Sequence, residues 1–316
     1  MSQSGRFTVA VIGAGAVGAT LAYATLVRGV ARRVVLYDIN TAKVRAEVLD
    51  LAHGRMFFPE AEVEGSDDIE VCRDADIIVV TAGAKQKPGQ SRMDLAGSTV
   101  GMMQKIIPAA LEVAPDATYV MVTNPVDVVT YVAQKISGLP RNQLFGSGTV
   151  LDSSRLRFLV AQSCGVAVGN VHAYMAGEHG DTEVPLWSSA SIGGVPLLDW
   201  EKETGELGEA SRDEIAYQVV NAAYQVIEGK GATNYAVGLA GTRIIESLRR
   251  DENRVLPVST YVEDFHGISD VCMSVPTIVS ADGAGRQLQL PVSEGELAQL
   301  RASADSIRAS ARTLGF

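Results

Sequence analysis

A glycine-rich turn set between two periodic segments restricts this chain more than any other feature. Phe7 to Ile12 is an apolar run broken only by Thr8; it ends at Gly13-Ala14-Gly15-Ala16-Val17-Gly18, and a helix is expected through Leu21 to Val30. An apolar run without alternation reads as a strand buried on both faces. A strand that enters a GxGxxG which then opens a helix is the arrangement that binds dinucleotides. Gly13 permits the tight turn, Gly15 lets backbone approach a pyrophosphate, and Gly18 lets the helix pack close to the sheet. The phosphates then sit on the helix N-terminus. Asp38 stands twenty residues beyond Gly18, at the end of a second apolar strand, Val34 to Tyr37. A carboxylate there accepts hydrogen bonds from the adenine ribose hydroxyls and repels a 2′-phosphate, which selects NAD over NADP. An isolated glycine turn could equally serve an α/β protein that binds no nucleotide, but strand, helix and acid together outweigh that reading.

The rhythm continues with a helical segment over Lys43 to Arg55, a strand at Asp76 to Thr81 and a long helix over Met93 to Val113. A strand at Thr118 to Thr123 and a helix over Val126 to Ser137 follow. Short apolar strands alternating with helices predict α/β architecture, a Rossmann-type doubly wound parallel sheet. After about residue 150 the pattern becomes mixed. Helices are expected over Asp152 to Cys164, Asp213 to Glu228, Asn234 to Arg249 and from Ser293, with strand and loop through Val171 to Val195. Further strands are expected near Val255 to Tyr261, Val271 to Val279 and Arg286 to Leu290. We divide the chain into an NAD-binding domain, 1–150, and an α+β substrate and catalytic domain, 151–316. The formal charge of -10 argues against a nucleic-acid partner, which needs a basic stripe, and no run of apolar residues is long enough to span a membrane. The short polar start, Met1 to Arg6, lacks the pattern of a secretory signal, so a cytoplasmic protein is expected. Cys72, Cys164 and Cys272 are far apart and read as reduced, packed thiols, with no metal site.

Four segments narrow the chemistry: Gly83-Ala84-Lys85-Gln86-Lys87-Pro88-Gly89-Gln90-Ser91-Arg92, Thr123-Asn124-Pro125-Val126-Asp127, Leu151-Asp152-Ser153-Ser154-Arg155 and Gly177-Glu178-His179-Gly180-Asp181. With these in series, the chain resembles the L-lactate and malate dehydrogenase family, specifically its bacterial lactate dehydrogenases of allosteric type. The likeness runs from the Gly13 loop to Leu314-Gly315-Phe316 in the same order throughout. Reducing a 2-oxo acid needs a hydride at the carbonyl carbon, a proton for its oxygen and a cation for its carboxylate. His179 is the proton donor this implies, since imidazole exchanges its proton near neutral pH, and Asp152 would hold its other nitrogen. Asp152 and Arg155, three apart at a helix start, share one face. Arg155 then offers a planar fork to the substrate carboxylate, although an ordinary surface ion pair has the same spacing. Arg92 ends a loop rich in glycine, proline and polar residues, and the resemblance implies that this loop closes over the substrate with Arg92 polarising the carbonyl.

The resemblance also implies that Asn124 bonds substrate oxygen and nicotinamide ribose, that Thr233 forms a substrate wall and that Val237 flanks the nicotinamide. Val17, Lys43, Gly83, Ala84, Val122, Thr123 and Ser147 match cofactor-contacting positions. Gln86 stands where the family's malate enzymes carry an arginine, so a second substrate carboxylate would lack a partner and pyruvate/lactate is the favoured pair. A malate dehydrogenase, a dehydrogenase of bulkier 2-hydroxy acids and a catalytically silent NAD-binding subunit are the alternatives. Arg157, two residues from Arg155, points elsewhere on the helix. With His172 it matches the positions that bind fructose 1,6-bisphosphate across a subunit interface in allosteric relatives, which implies a homo-oligomer, a tetramer by resemblance. Asn234 departs from the aromatic residue of many relatives and weakens the effector inference.

Overall fold

The computed structural model describes residues 6–84 and 92–316, with Arg92 described by its backbone alone. The first half runs β1 (Thr8–Ile12), α1 (Ala16–Val27), β2 (Arg33–Tyr37), α2 (Thr41–His53), β3 (Glu62–Ser66), β4 (Ile77–Val80), α3 (Arg92–Val113), β5 (Thr118–Met121), α4 (Val126–Ser137) and β6 (Leu144–Gly146). The second continues with α5 (Val150–Ser163), five two-residue strands, β7 (Val171–His172), β8 (Met175–Ala176), β9 (Val184–Pro185), β10 (Ser191–Ile192) and β11 (Val195–Pro196), then α6 (Leu197–Thr204), α7 (Glu209–Lys230) and α8 (Tyr235–Arg250). It closes with β12 (Arg254–Val262), β13 (Val271–Ser280), β14 (Gly283–Gln287) and α9 (Glu294–Thr313).

Nine strands form one sheet in the order β14-β13-β12-β6-β5-β4-β1-β2-β3. The six from β6 to β3 are parallel, and β12 to β14 extend the β6 edge antiparallel. The apolar runs have a direct cause. Val9 and Val11 face the core under α1 and α8, whereas Ala10 and Ile12 face the core under α3, so every position of β1 is buried. Strand order reverses at β1, which pairs with β2 on one side and β4 on the other. The crevice outside the carboxyl ends at such a reversal is where ligands bind in open α/β sheets.

Helix α8 docks the second half onto the first. A Cβ on Gly238 or Gly241 would lie 2.8 Å from the Thr20 methyl or 2.5 Å from Leu21 Cδ1, so the bare backbone permits the close crossing with α1. Arg28 donates to both carboxylate oxygens of Glu246, at 2.7 and 2.9 Å. Asn234 Nδ2 donates to Thr20 Oγ1 at 2.9 Å, which ties the start of α8 to α1. The final helix begins as expected: Ser293 caps α9 and forms a reciprocal capping box with Glu296. Two strands of the large sheet escaped the sequence reading, β3 (EVEGS), which is polar and lies at the sheet edge, and β6 (LFG), which is apolar and buried but only three residues long. The strand expected at Arg286 to Leu290 forms earlier, over Gly283–Gln287. The three cysteines are buried and separate.

Candidate active site

At the crevice, the glycines of the turn do different work. Gly13 adopts φ +107°, and a Cβ on it would lie 2.7 Å from the Ala82 backbone nitrogen. A Cβ on Gly18 would sit 1.9 Å from the Gly13 carbonyl oxygen, so α1 can approach the turn only with glycine there. Around Gly15 a Cβ would meet nothing within 4 Å, and Gly15 caps α1 with no side-chain hydrogen bond. The helix N-terminus therefore faces open space bounded by backbone, a cradle suited to a pyrophosphate. Asp38 follows β2 and accepts from Ala14 N at 2.8 Å and Asn40 N at 2.9 Å, one bond on each oxygen. Each oxygen keeps a lone pair for a ribose hydroxyl. Lys43 lies in the first turn of α2, half-buried. Gly83 and Ala84 follow β4, with the Thr123 hydroxyl bridging the Val80 and Ala82 carbonyls at 3.1 and 2.8 Å. A Cβ on Gly83 would press on the Thr123 methyl at 2.7 Å.

Next to this cradle a cavity of about 120 Å³ is lined by Val122, Asn124, Ser147, Arg155, His179, Thr233 and Val237, which come from both halves of the chain. They come from four separate stretches of sequence, Val122 and Asn124 after β5, Ser147 and Arg155 after β6 and in α5, His179 in its own loop, and Thr233 and Val237 at the start of α8. Leu151, Ala223, Ile227 and Ala240 complete the wall. Sequence reasoning gave these four no role, because aliphatic residues on helices carry no signal beyond packing. The larger hollow of about 720 Å³ beside Asp74 and Arg249 contains none of the expected catalytic groups.

Asp152 organises the polar side of the cavity from the first turn of α5. Its Oδ1 accepts from Arg155 Nη1 at 2.6 Å, and its Oδ2 lies 2.6 Å from His179 Nδ1. The carboxylate is 1% exposed, so both bonds are made away from water. Burial alone would push Asp152 up, but the charge and hydrogen bond of His179 and the charge of Arg155 hold it below the ordinary carboxylate range. For His179, burial disfavours the imidazolium; the Asp152 carboxylate overrides it, helped by Glu183 and Asp127, and raises the pKa to about 9.

Asp127, the last residue of the Thr123 to Asp127 motif, was given no role by sequence reasoning. It is buried at the start of α4, accepting from His179 N at 2.7 Å and Ser259 Oγ at 2.6 Å, and so fixes the backbone that carries the imidazole. Burial pushes its pKa to about 6 against those two bonds. Glu178 is held by Ser303, Thr182 and Ser306 through its backbone nitrogen and carboxylate, which pins the other side of the same turn to α9. Arg157 lies away from the cavity: Nε donates to the Ala173 carbonyl at 2.8 Å and the guanidinium stands 4.9 Å from the Tyr174 ring centre. His172, beside Ala173, is exposed. Gln86 and the side chain of Arg92 lie outside the described residues; the Arg92 backbone heads α3.

Comparison with known proteins identifies the family. Residues 7–146 match the NAD-binding domain of lactate/malate dehydrogenase, and residues 149–314 match the α/β C-terminal domain of the same family. The chain is 59% identical over 310 residues to L-lactate dehydrogenase of Bifidobacterium animalis subsp. lactis, covering 98% of this chain and 97% of that protein. It is 44% identical to L-lactate dehydrogenase of Acetivibrio thermocellus, covering 97% and 96%. Its fold matches the ligand-bound crystal structure of minor L-lactate dehydrogenase from Enterococcus mundtii with a TM-score of 0.95 at 36% identity, over 97% of this chain and 98% of that one. With a nucleotide cradle at β1 and α1 and, beside it, an Asp–His–Arg cluster built on the buried Asp152, the chain is an NAD-dependent oxidoreductase that belongs to the lactate/malate dehydrogenase family.

Proposed function

We propose that this chain is an L-lactate dehydrogenase that interconverts pyruvate and (S)-lactate. One observation carries the reading: a single buried carboxylate, Asp152, joins a proton donor and a carboxylate anchor on the wall of one cavity. Bound NADH supplies the hydride that reduces the substrate carbon. The chain's own residues supply everything else. Asp152 occupies Nδ1 of His179, which leaves Nε2 to give its proton to the substrate oxygen in reduction and to take it back in oxidation. Arg155 spends one N–H on Asp152 and has four more, so its fork remains available to a substrate carboxylate. Asn124, Val122, Ser147, Thr233 and Val237 shape the rest of the pocket, and Gly13, Gly15, Val17, Gly18, Asp38, Lys43, Gly83, Ala84 and Thr123 hold NAD. Arg92, at the head of α3, is assigned to polarise the substrate carbonyl, and Gln86 to reject a second carboxylate. The division at residue 150 is supported by the two family matches, which meet between residues 146 and 149.

Activation by fructose 1,6-bisphosphate belongs to the same reading. Arg157 bonds the carbonyl of Ala173, the residue after the exposed His172, and a guanidinium and an imidazole are both groups that can meet a phosphate. Self-association into a tetramer is supported by large apolar side chains left in solvent: Met56 is 91% exposed and Phe57 88%. We assign the enzyme to the cytoplasm and to fermentative glycolysis; no helix among the described residues is long and apolar enough to cross a membrane. The test is steady-state NADH oxidation with pyruvate and with oxaloacetate, with and without fructose 1,6-bisphosphate. Pyruvate should have the higher kcat/KM, rising with the effector. A preference for oxaloacetate would refute the lactate assignment.

A further inference from the structure

Glu183 lies four residues beyond His179, just before β9, and the mechanism above gives it no part. It is 8% exposed, and among the described residues its Oε2 has no hydrogen-bond partner. A carboxylate oxygen of Glu183, a ring nitrogen of His179 and a carboxylate oxygen of Asp152 all lie within 4.8 Å of one another. The charged groups that face it are Asp152 and Arg155 from α5, His179 from its own segment and Asp127 from α4. Two ionised carboxylates in this dry corner would share one imidazole. The second would keep a bare oxygen away from water, which is strongly unfavourable. Asp152 holds the better claim to the charge, because it accepts from both Arg155 and His179 at 2.6 Å. Burial and the Asp152 charge both push the Glu183 carboxyl up, against the pull of His179 and Arg155.

We propose that Glu183 is a positioning residue of the proton donor. Its carboxyl stays protonated while Asp152 is ionised; when it loses that proton on the alkaline side, it places a second negative charge beside His179 and holds the imidazolium together to higher pH. The inference rests on the lactate dehydrogenase reading, since it needs a donor that must be protonated for pyruvate to be reduced.

The test is the pH dependence of kcat/KM for pyruvate with NADH, from mildly acidic to alkaline, for the full chain and for Glu183→Gln and Glu183→Met. Gln keeps the size and removes the ionisation; Met removes ionisation and polarity. In the unaltered enzyme, two coupled protons should broaden the alkaline limb beyond a one-proton curve. Both substitutions should sharpen it to one proton and move it down by about 0.5 to 1 pH unit, lowering the alkaline-to-neutral rate ratio roughly three- to tenfold. A one-proton limb in the unaltered enzyme overturns the proposal. So does a limb unmoved in Glu183→Gln, whether or not activity falls equally at every pH, because that pattern is packing and not charge. If the unaltered enzyme fails to oxidise NADH with pyruvate, it is the functional reading that is lost instead.

Discussion

Replacing Asp152 by Asn keeps its volume and removes the charge that two partners share. His179 then loses the group that overrides burial. Its pKa, about 9 with Asp152 in place, should fall to the ordinary 6.5 or below, a change in imidazolium stabilisation of about 3.4 kcal/mol. Pyruvate reduction needs the protonated ring, so the deficit depends on pH. Below about 6.5 both enzymes hold the proton and the population term vanishes. Through the window up to about 9 only the unaltered enzyme holds it, and above that both have lost it. At pH 8 the imidazolium fraction falls from about 90% to about 3%, roughly thirtyfold, with a further loss from an unbraced ring. Lactate oxidation starts from the neutral ring and should lose only the orientation part. The assay is kcat/KM in both directions across pH. An alkaline limb for pyruvate that stays near 9 in Asp152→Asn, or a loss at pH 8 under about threefold, would refute the claim that Asp152 sets the proton affinity of His179.

Arg155→Lys retains the positive charge but loses the planar fork, so the KM for pyruvate should rise roughly a hundredfold, about 3 kcal/mol, with NADH affinity unchanged; an unaltered KM would remove the bidentate anchor. Two glycine substitutions separate packing from ligand space. Gly18→Ala forces a methyl to 1.9 Å from the Gly13 carbonyl and should lower the melting temperature sharply, whereas Gly15→Ala meets open space in the protein and should weaken NADH binding in a fluorescence titration with little change in melting. Arg157→Gln should abolish activation by fructose 1,6-bisphosphate while leaving the unactivated rate in place, and retained activation would take Arg157 out of the effector site.

How far the sequence could be read depended on whether a residue's task is local. The turn at Gly13 to Gly18 was legible because its geometry is set within a few residues: a positive φ at Gly13 and a contact between Gly18 and its own turn. The strands β1, β4 and β5 were legible because burial on both faces demands unbroken apolar runs. Edge strand β3 was not, since one exposed side lets Glu62 and Glu64 stand where a central strand could not hold them. The motifs named His179, Asp152 and Arg155, and the resemblance joined them.

What no reading of the chain in one dimension could supply is the environment of those groups. Asp127 and Glu183 are ordinary acidic residues in the sequence, and only the packing of α4, α5 and β9 around one loop removes them from water and sets them beside His179. The sequence by itself determined the backbone-encoded cradle and nominated the side chains proposed to react, because both are written in short segments. The tertiary structure alone decided how three carboxyls near the imidazole, Asp152, Glu183 and Asp127, differ in their hold on a proton, because desolvation and Coulomb energy depend on distances between residues far apart in the chain.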